Sequence, residues 1–408
     1  MIMMRRWYYG WQILGVLAIT ETLSYGMLIY AFSVFVVPLE QAFGWSRATI
    51  TVAVTASQLI AGLLAWPVGV WLDRHGARWL MTAGALWCGL WFGLWGFVTE
   101  PWQHVVVWLA LGVGMAAVLY EPAFVVVANW FNRKRSLALT VLTFVAGFAI
   151  IIATPTTEWL IRTSGWQMTT WVFAAVMVLV IAPLHGIWLR RRPSDVGQFV
   201  DGAPEAIVGP VVSIPAVKVI EVLRDRGFWL LTLAFFVSTC ALVVMLQTFV
   251  PYLIDTGYTA QQAAWYAAIA GFLALPSRLF FTPLGAVVSR QVIATVLCVM
   301  QSLALVALMV LPGDWGVWSC IVLFGLSFGA ITPARAALFA DRFGVAAYGA
   351  ISGVLALLLT AARAVMPLAV EVVRPLVGSY RPIYVVVGLV TALGALVILL
   401  VVPQPATT

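Results

Sequence analysis

The chain has 408 residues, 63% of them hydrophobic and only 9% charged, with a net charge of +7 and a mean hydropathy of +1.04. Soluble domains carry about 25% charged residues, so an ordinary soluble protein is excluded and a polytopic membrane protein is expected. The positive balance is no nucleic-acid signal, because basic residues are expected to flank membrane spans on the cytoplasmic side.

The N-terminal MIMMRRWYYGWQ leads into an apolar stretch too long for a signal-peptide core, with no small-residue cleavage site after it, and reads as a retained first span. Runs of about 20 apolar residues cross a bilayer. Twelve are predicted: 10–38, 46–71, 77–99, 103–130, 136–161, 167–190, 227–254, 261–287, 290–312, 316–340, 347–372 and 379–402. In lipid every backbone polar group must be satisfied internally. These runs lack the two-residue alternation of barrel strands, so helices are expected. Cys88, Cys240, Cys298 and Cys320 lie in apolar runs without metal-ligand spacing and read as small buried hydrophobes.

An even number of spans puts both termini on one side. With that side cytoplasmic, fifteen Lys and Arg fall in inner segments and four in outer ones, which fixes the orientation. The polar stretch RRRPSDVGQFVDGAPE divides the spans six and six, and its Pro and Gly content reads as a linker. VKVIEVLRDR after it reads as a short interfacial helix. The expected organisation is therefore a six-helix bundle at 1–190, a cytoplasmic linker at 191–226 and a second six-helix bundle at 227–408. Two such halves around a central site suit a transporter built from parallel repeats.

Between the second and third spans stands GVWLDRHGAR (69–78). Gly69 and Gly76 serve a tight reversal, and Asp73, Arg74 and Arg78 are expected to form a charge network that holds one conformation. At the equivalent place in the second half, GAVVSRQ keeps Gly285 and Arg290, but Ser289 stands in place of the aspartate of the first string. The first string closely resembles the Gly-x-x-x-Asp-Arg-x-Gly-x-Arg signature of the Major Facilitator Superfamily. YYGWQ (8–12), SYGMLIYAFSVFVVPLEQAFGWSRATI (24–50), NWFNRKRSLAL (129–139, with Arg135), SGWQ (164–167), RRRPSDVGQ (190–198), PSRLFFTPLG (276–285) and GSYRPIYVV (378–386) extend the resemblance over nearly the whole chain. They are similar to strings of the bacterial monocarboxylate porter and oxalate/formate antiporter-like proteins. That resemblance implies an all-α membrane fold of twelve transmembrane helices in two six-helix bundles, with both termini cytoplasmic.

Arg278 lies in AAWYAAIAGFLALPSRLFFTPLGAVV (263–288), a run with no other charge. Arginine stays charged, so inside hydrocarbon it must face a partner or a polar space. In the family an arginine of the eighth span binds the substrate carboxylate, and Arg278 falls at that position. Its planar fork suits bidentate recognition. Two departures stand out: the first span has no lysine, and Ala274 occupies the place, one turn before Arg278, where animal monocarboxylate porters carry an aspartate. Proton coupling therefore cannot be carried over residue by residue.

Glu21, Glu121, Arg278 and Arg363 fall near the middle of their spans, and Arg335 lies nearer the inner side, where it is expected to join a gate with Asp341. Three positive and two negative charges leave one guanidinium for an anion if both glutamates pair with arginines. Glu21 and Glu121 are the candidate proton carriers, since a carboxylate in a low-dielectric site can hold a proton. Pro122 is expected to free a carbonyl and bend the fourth span. Tyr25, Tyr30, Tyr120, Gln247 and Tyr252 are weaker candidates to donate to a carboxylate. His75, His104 and His185 are isolated and read as structural. The twenty tryptophans mark interfaces and packing.

The expected function is alternating-access transport of a small organic anion, a monocarboxylate such as lactate or pyruvate. The protein is expected in a bacterial inner membrane, in contact with lipid, working as a monomer, with no cofactor beyond a coupling proton and no nucleic-acid partner. Alternatives are transport of a larger amphipathic compound such as a drug or siderophore and, remotely, a polytopic membrane enzyme. The enzyme reading has no nucleophilic triad, metal-ligand cluster or phosphate loop behind it, and a sensor reading has no appended signalling domain.

Overall fold

The computed structural model describes residues 8–203, 219–284, 287–344 and 348–401, and among these every regular element is a helix. The chain divides into two compact units. The first runs through residue 216 and takes in the opening turns of a later helix up to Leu357; the second holds the remainder.

In the first unit α1 (Tyr9–Tyr25) passes through a π turn (Gly26–Tyr30) into α2 (Phe32–Phe43). Ser46 caps α3 (Arg47–His75), its Oγ accepting from the Thr49 amide at 3.1 Å. Then come α4 (Arg78–Trp95), α5 (Pro101–Val118), α6 (Tyr120–Trp130), α7 (Arg135–Ala146) and α8 (Ala149–Val176). A second π turn (Met177–Ile181) leads into α9 (Ala182–Trp188). α8 is broken at Gly165, with φ 83° and ψ 164°. The second unit holds α10 (Val219–Arg224), α11 (Arg226–Asp255), α12 (Ala260–Leu284), α13 (Arg290–Val310), α14 (Gly313–Phe343), α15 (Tyr348–Val377) beyond Leu357, and α16 (Arg381–Leu400).

Ten helical stretches among the described residues are long and apolar enough to cross a membrane. The longest, Arg135–Trp188, contains the Gly165 break. The tryptophan-rich α4 lies outside those ten. Leu63, Trp66, Trp102, Leu179 and Leu393 are exposed on helix surfaces. Long apolar helices with large apolar side chains turned outward are stable only against lipid, so this is an integral multi-pass membrane protein.

The fourth predicted span is not one helix bent at Pro122. It breaks at Leu119 (φ −95°, ψ −168°), and α6 starts afresh at Tyr120. Pro122 therefore sits in the first turn of α6, where a missing N–H removes no intrahelical bond.

Lipid is as apolar as leucine, so membrane helices associate through packing and interhelical hydrogen bonds. In the first unit Phe35, Phe92, Trp95 and Trp108 are fully buried, with Trp95 and Trp108 edge to face at 5.1 Å. In the second, Thr248 and Tyr384 share a hydroxyl–hydroxyl bond of 2.6 Å, and Ser302 donates to the Gly388 carbonyl at 2.8 Å. All four cysteines are buried and free.

The stretch expected as a linker begins as part of the first unit. The Gln198 side-chain oxygen accepts from the Tyr9 amide at 2.9 Å. The Asp201 carboxylate accepts from the consecutive amides of Asn132, Arg133 and Lys134 at 3.1, 2.7 and 3.2 Å. Asp201 holds φ 61°, the only positive φ outside glycine among the described residues.

Candidate transport site

The 69–78 string works by capping helix ends. One Asp73 oxygen accepts from the Gly349 amide and the other from the Ala350 amide, both at 2.9 Å. These amides belong to the first turn of α15, within the first unit. Arg78 Nε donates to the Gly186 carbonyl at 2.6 Å, near the end of α9. Arg191 donates to the Asp73 backbone carbonyl at 2.8 Å. Arg74 is exposed and forms no ion pair among the described residues. The expected Asp73–Arg74–Arg78 network is thus replaced by a carboxylate on a helix N-terminus and a guanidinium at a helix C-terminus. Both placements follow the helix dipole. A Cβ on Gly69 would overlap the Gly349 carbonyl oxygen, so glycine at both positions permits the backbone approach that brings Asp73 to its amides. Gly76 ends α3 at φ 79°.

The second-half counterpart is built differently. Ser289 is the N-cap of α13, its Oγ accepting from the Val292 amide at 3.3 Å. Arg290 meets Asp341 at 2.5 Å and also donates to the Ala337 carbonyl at 3.2 Å. Arg335 is buried on the same α14 as Asp341. Gly285 lies outside the described residues. Arg135 is buried in the first unit, where Nε donates to the Phe131 carbonyl at 3.1 Å and closes the end of α6.

Within the first unit the structure gathers five of the candidate residues. Glu21 is fully buried, and neither carboxylate oxygen has a hydrogen-bond partner among the described residues. Its electrostatic neighbour is Glu121, in the first turn of α6. The charge count supposed that both glutamates pair with arginines, and Glu21 makes no such pair among the described residues. Tyr25, one turn beyond Glu21, lies tilted against Tyr120 with ring centroids 4.4 Å apart and is 6.3 Å from Tyr30; Tyr120 lies parallel to Phe124 at 5.1 Å.

In the second unit Arg278 is half-buried on α12, and its Nε donates to the Gly329 carbonyl of α14 at 3.0 Å. A Cβ on Gly329 would overlap the Ala274 carbonyl oxygen and Ser277 Oγ, so glycine sets the close crossing that supplies this carbonyl. The guanidinium plane is thereby fixed. Arg363 is exposed on α15 and forms no hydrogen bond or ion pair among the described residues. A bare guanidinium on a membrane-crossing helix requires water or an anion beside it. Gln247 is exposed. Tyr252 is a core residue, packed edge to face on Tyr384 at 5.4 Å.

Sequence reasoning misses Gly349, Gly329 and Asp201. The signals are slight: a glycine at the head of a helix, a glycine inside an apolar helix, and an Asp-Gly pair.

The Major Facilitator Superfamily profile matches residues 17–367, and the chain belongs to that superfamily. It is 24% identical over 363 residues to the uncharacterized MFS-type transporter YcxA of Bacillus subtilis, covering 83% of each chain. It is also 24% identical over 341 residues to monocarboxylate transporter 13 of Bos taurus, covering 82% of this chain and 76% of that protein. A crystal structure of the E. coli fucose:proton symporter FucP superposes with a TM-score of 0.74 at 12% identity, covering 97% of this chain and 100% of that one. The protein is therefore a secondary transporter and not an enzyme.

Proposed function

We propose that this transporter moves a small organic anion, a monocarboxylate such as lactate or pyruvate, by alternating access with a co-transported proton. We further infer twelve crossings, reached by counting Gly165 as a turn and α4 as a span, with both termini on the cytoplasmic face of a bacterial inner membrane.

The observation that carries the reading is Arg278, a permanent cation in an apolar helix whose plane is set by the Gly329 carbonyl. A guanidinium fixed in this way suits a flat carboxylate. The exposed Arg363 of the same unit supports an anionic cargo, and the similarity to a monocarboxylate transporter agrees with it. Glu21, buried with neither carboxylate oxygen hydrogen-bonded among the described residues and with Glu121 as its electrostatic neighbour, supports proton coupling, since such a group can gain and lose a proton through a cycle. A larger aromatic acid is the second reading, supported by the cluster of aromatic rings Tyr25, Tyr120 and Phe124.

The test is uptake of labelled pyruvate and lactate by the reconstituted protein under an imposed pH gradient, beside bulky aromatic acids. Arg278→Ala abolishes uptake while membrane levels of the protein stay normal. Full uptake by that variant would remove the basis of the reading.

A further inference from the structure

A cavity of about 370 Å³ lies where the C-terminal ends of α3 and α6 meet the stretch after α9. It falls wholly within the first unit, and Asp73, Asn129, Arg191, Arg192, Ser194 and Phe199 are on its wall. This is the size of a small-molecule site.

The wall is shaped by local structure. Pro193 starts a single 3₁₀ turn (Pro193–Val196), the Asp195 carboxylate accepts from the Arg192 amide at 3.0 Å, and Gly197 closes the turn at φ 67°. Gln198, accepting from the Tyr9 amide, keeps this segment against α1. Arg191 runs beside Gly76, where a Cβ would overlap its stem, and its guanidinium donates to the Asp73 backbone carbonyl at 2.8 Å. The glycine that ends α3 thus makes room for an arginine of the cavity wall.

Donors on this wall outnumber their partners. Arg192 is exposed, and its guanidinium forms no hydrogen bond or ion pair among the described residues. The Asn129 side-chain amide and the Ser194 hydroxyl form no hydrogen bond among them either. The carboxylate on the wall does not compete for the cations, because both Asp73 oxygens are taken by the Gly349 and Ala350 amides. Arg74 follows Asp73, and Arg133 and Lys134 follow Asn129 by one turn; all three are exposed. Asp195 and Asp201 offset only part of that charge, so the field at this end of the unit is positive.

We propose that this cavity binds the phosphate of a soluble organic phosphate. Arg191 and Arg192 meet the charged oxygens, Asn129 and Ser194 add neutral donors, and the exposed Phe199 and Val200 cover the apolar body. Four donor side chains exceed what the two oxygens of a carboxylate can use. A phosphate monoester offers three strong acceptors and about −1.5 to −2 of charge. Helix ends and a connecting segment make the wall, rather than the apolar sides of helices, which favours a soluble ligand over a lipid headgroup. On the proposed orientation that ligand is cytoplasmic. Arg191 also holds the last turn of α3, whose Asp73 caps α15, so an occupied site steadies that joint and regulates the carrier. The site is separate from Arg278, which belongs to the other unit, and is independent of the anion carried.

The test is phenyl phosphate binding to the full chain in nanodiscs of zwitterionic lipid, measured by calorimetry. One saturable site is expected. Arg192→Gln should weaken it about tenfold, the loss expected for a hydrogen-bonded charged group, while Arg74→Gln and Arg278→Ala leave the affinity unchanged. Inorganic phosphate should compete; benzoate, the same ring on a carboxylate, should not. Bound phenyl phosphate should slow hydrogen exchange at the Gly349 and Ala350 amides. Absence of saturable binding overturns the proposal. So does an equal loss in Arg74→Gln and Arg192→Gln, which would reveal only a diffuse positive field, and so does loss in Arg278→Ala, which would put the probe in the transport site. Competition by benzoate overturns the phosphate class. Displacement by phosphatidylglycerol added to the nanodisc assigns the site to a lipid headgroup and overturns the soluble ligand. Unchanged exchange at the two amides overturns the regulatory link.

Discussion

The Asp73 carboxylate and the Gly349 amide lie 276 positions apart in sequence and 2.9 Å apart in space. With Ala350 on its other oxygen, Asp73 does for α15 what a local Asp does at a helix N-cap. Asp73→Asn keeps the shape and removes the charge. It should cost about 1–2 kcal/mol and speed hydrogen exchange at the Gly349 and Ala350 amides. Unchanged exchange there would show that the carboxylate holds nothing.

Gly69 guards the same approach. In Gly69→Val the new side chain overlaps the Gly349 carbonyl, so the two backbones must separate. An overpacked contact of this kind costs about 1–3 kcal/mol. Transport should fall, and hydrogen exchange at the start of α15 should again be the readout, now without any change of charge.

Gly329→Ala tests how Arg278 is positioned. The added methyl overlaps Ala274 and Ser277, pushes α12 and α14 apart and draws the Gly329 carbonyl away from Nε. KM for the anion should rise about tenfold, equivalent to about 1.4 kcal/mol of lost binding. Arg278→Lys should do worse than Gly329→Ala, because an ammonium lacks the planar fork. Equal kinetics for wild type and Gly329→Ala would show that this carbonyl does not orient the site.

Asp201 combines a strained backbone with three accepted amide bonds. Asn tolerates φ near 60° and keeps acceptor capacity; Gly relieves the strain and loses the bonds; Ala loses both. Stability should therefore fall in the order Asp, Asn, Gly, Ala, with Asp201→Ala about 2–3 kcal/mol below wild type. Proteolytic nicking within residues 131–135 should follow that order.

Much of the fold is legible because membrane helices announce themselves by length and composition. Arg278 and the 69–78 string are legible for a related reason: a charge in an apolar run and a fixed spacing are visible without partners. What is not visible is who meets whom. Asp73 looks destined for Arg74 and Arg78, yet it takes two backbone amides, which no side-chain pattern encodes. Glu21 could have paired with an arginine, yet both its oxygens are buried without a hydrogen-bond partner among the described residues. Tyr252 has the composition of a ligand and the packing of a core residue, and only its contact with Tyr384 decides between them.

Glu21 and Glu121 lie in the first unit, while Arg278, Arg335 and Arg363 all lie in the second. On the proposed reading, energy supply and cargo recognition are written on separate stretches of the chain. Each can drift without rewriting the other. A descendant could adopt a new anion through changes in its second half and inherit its driving force intact.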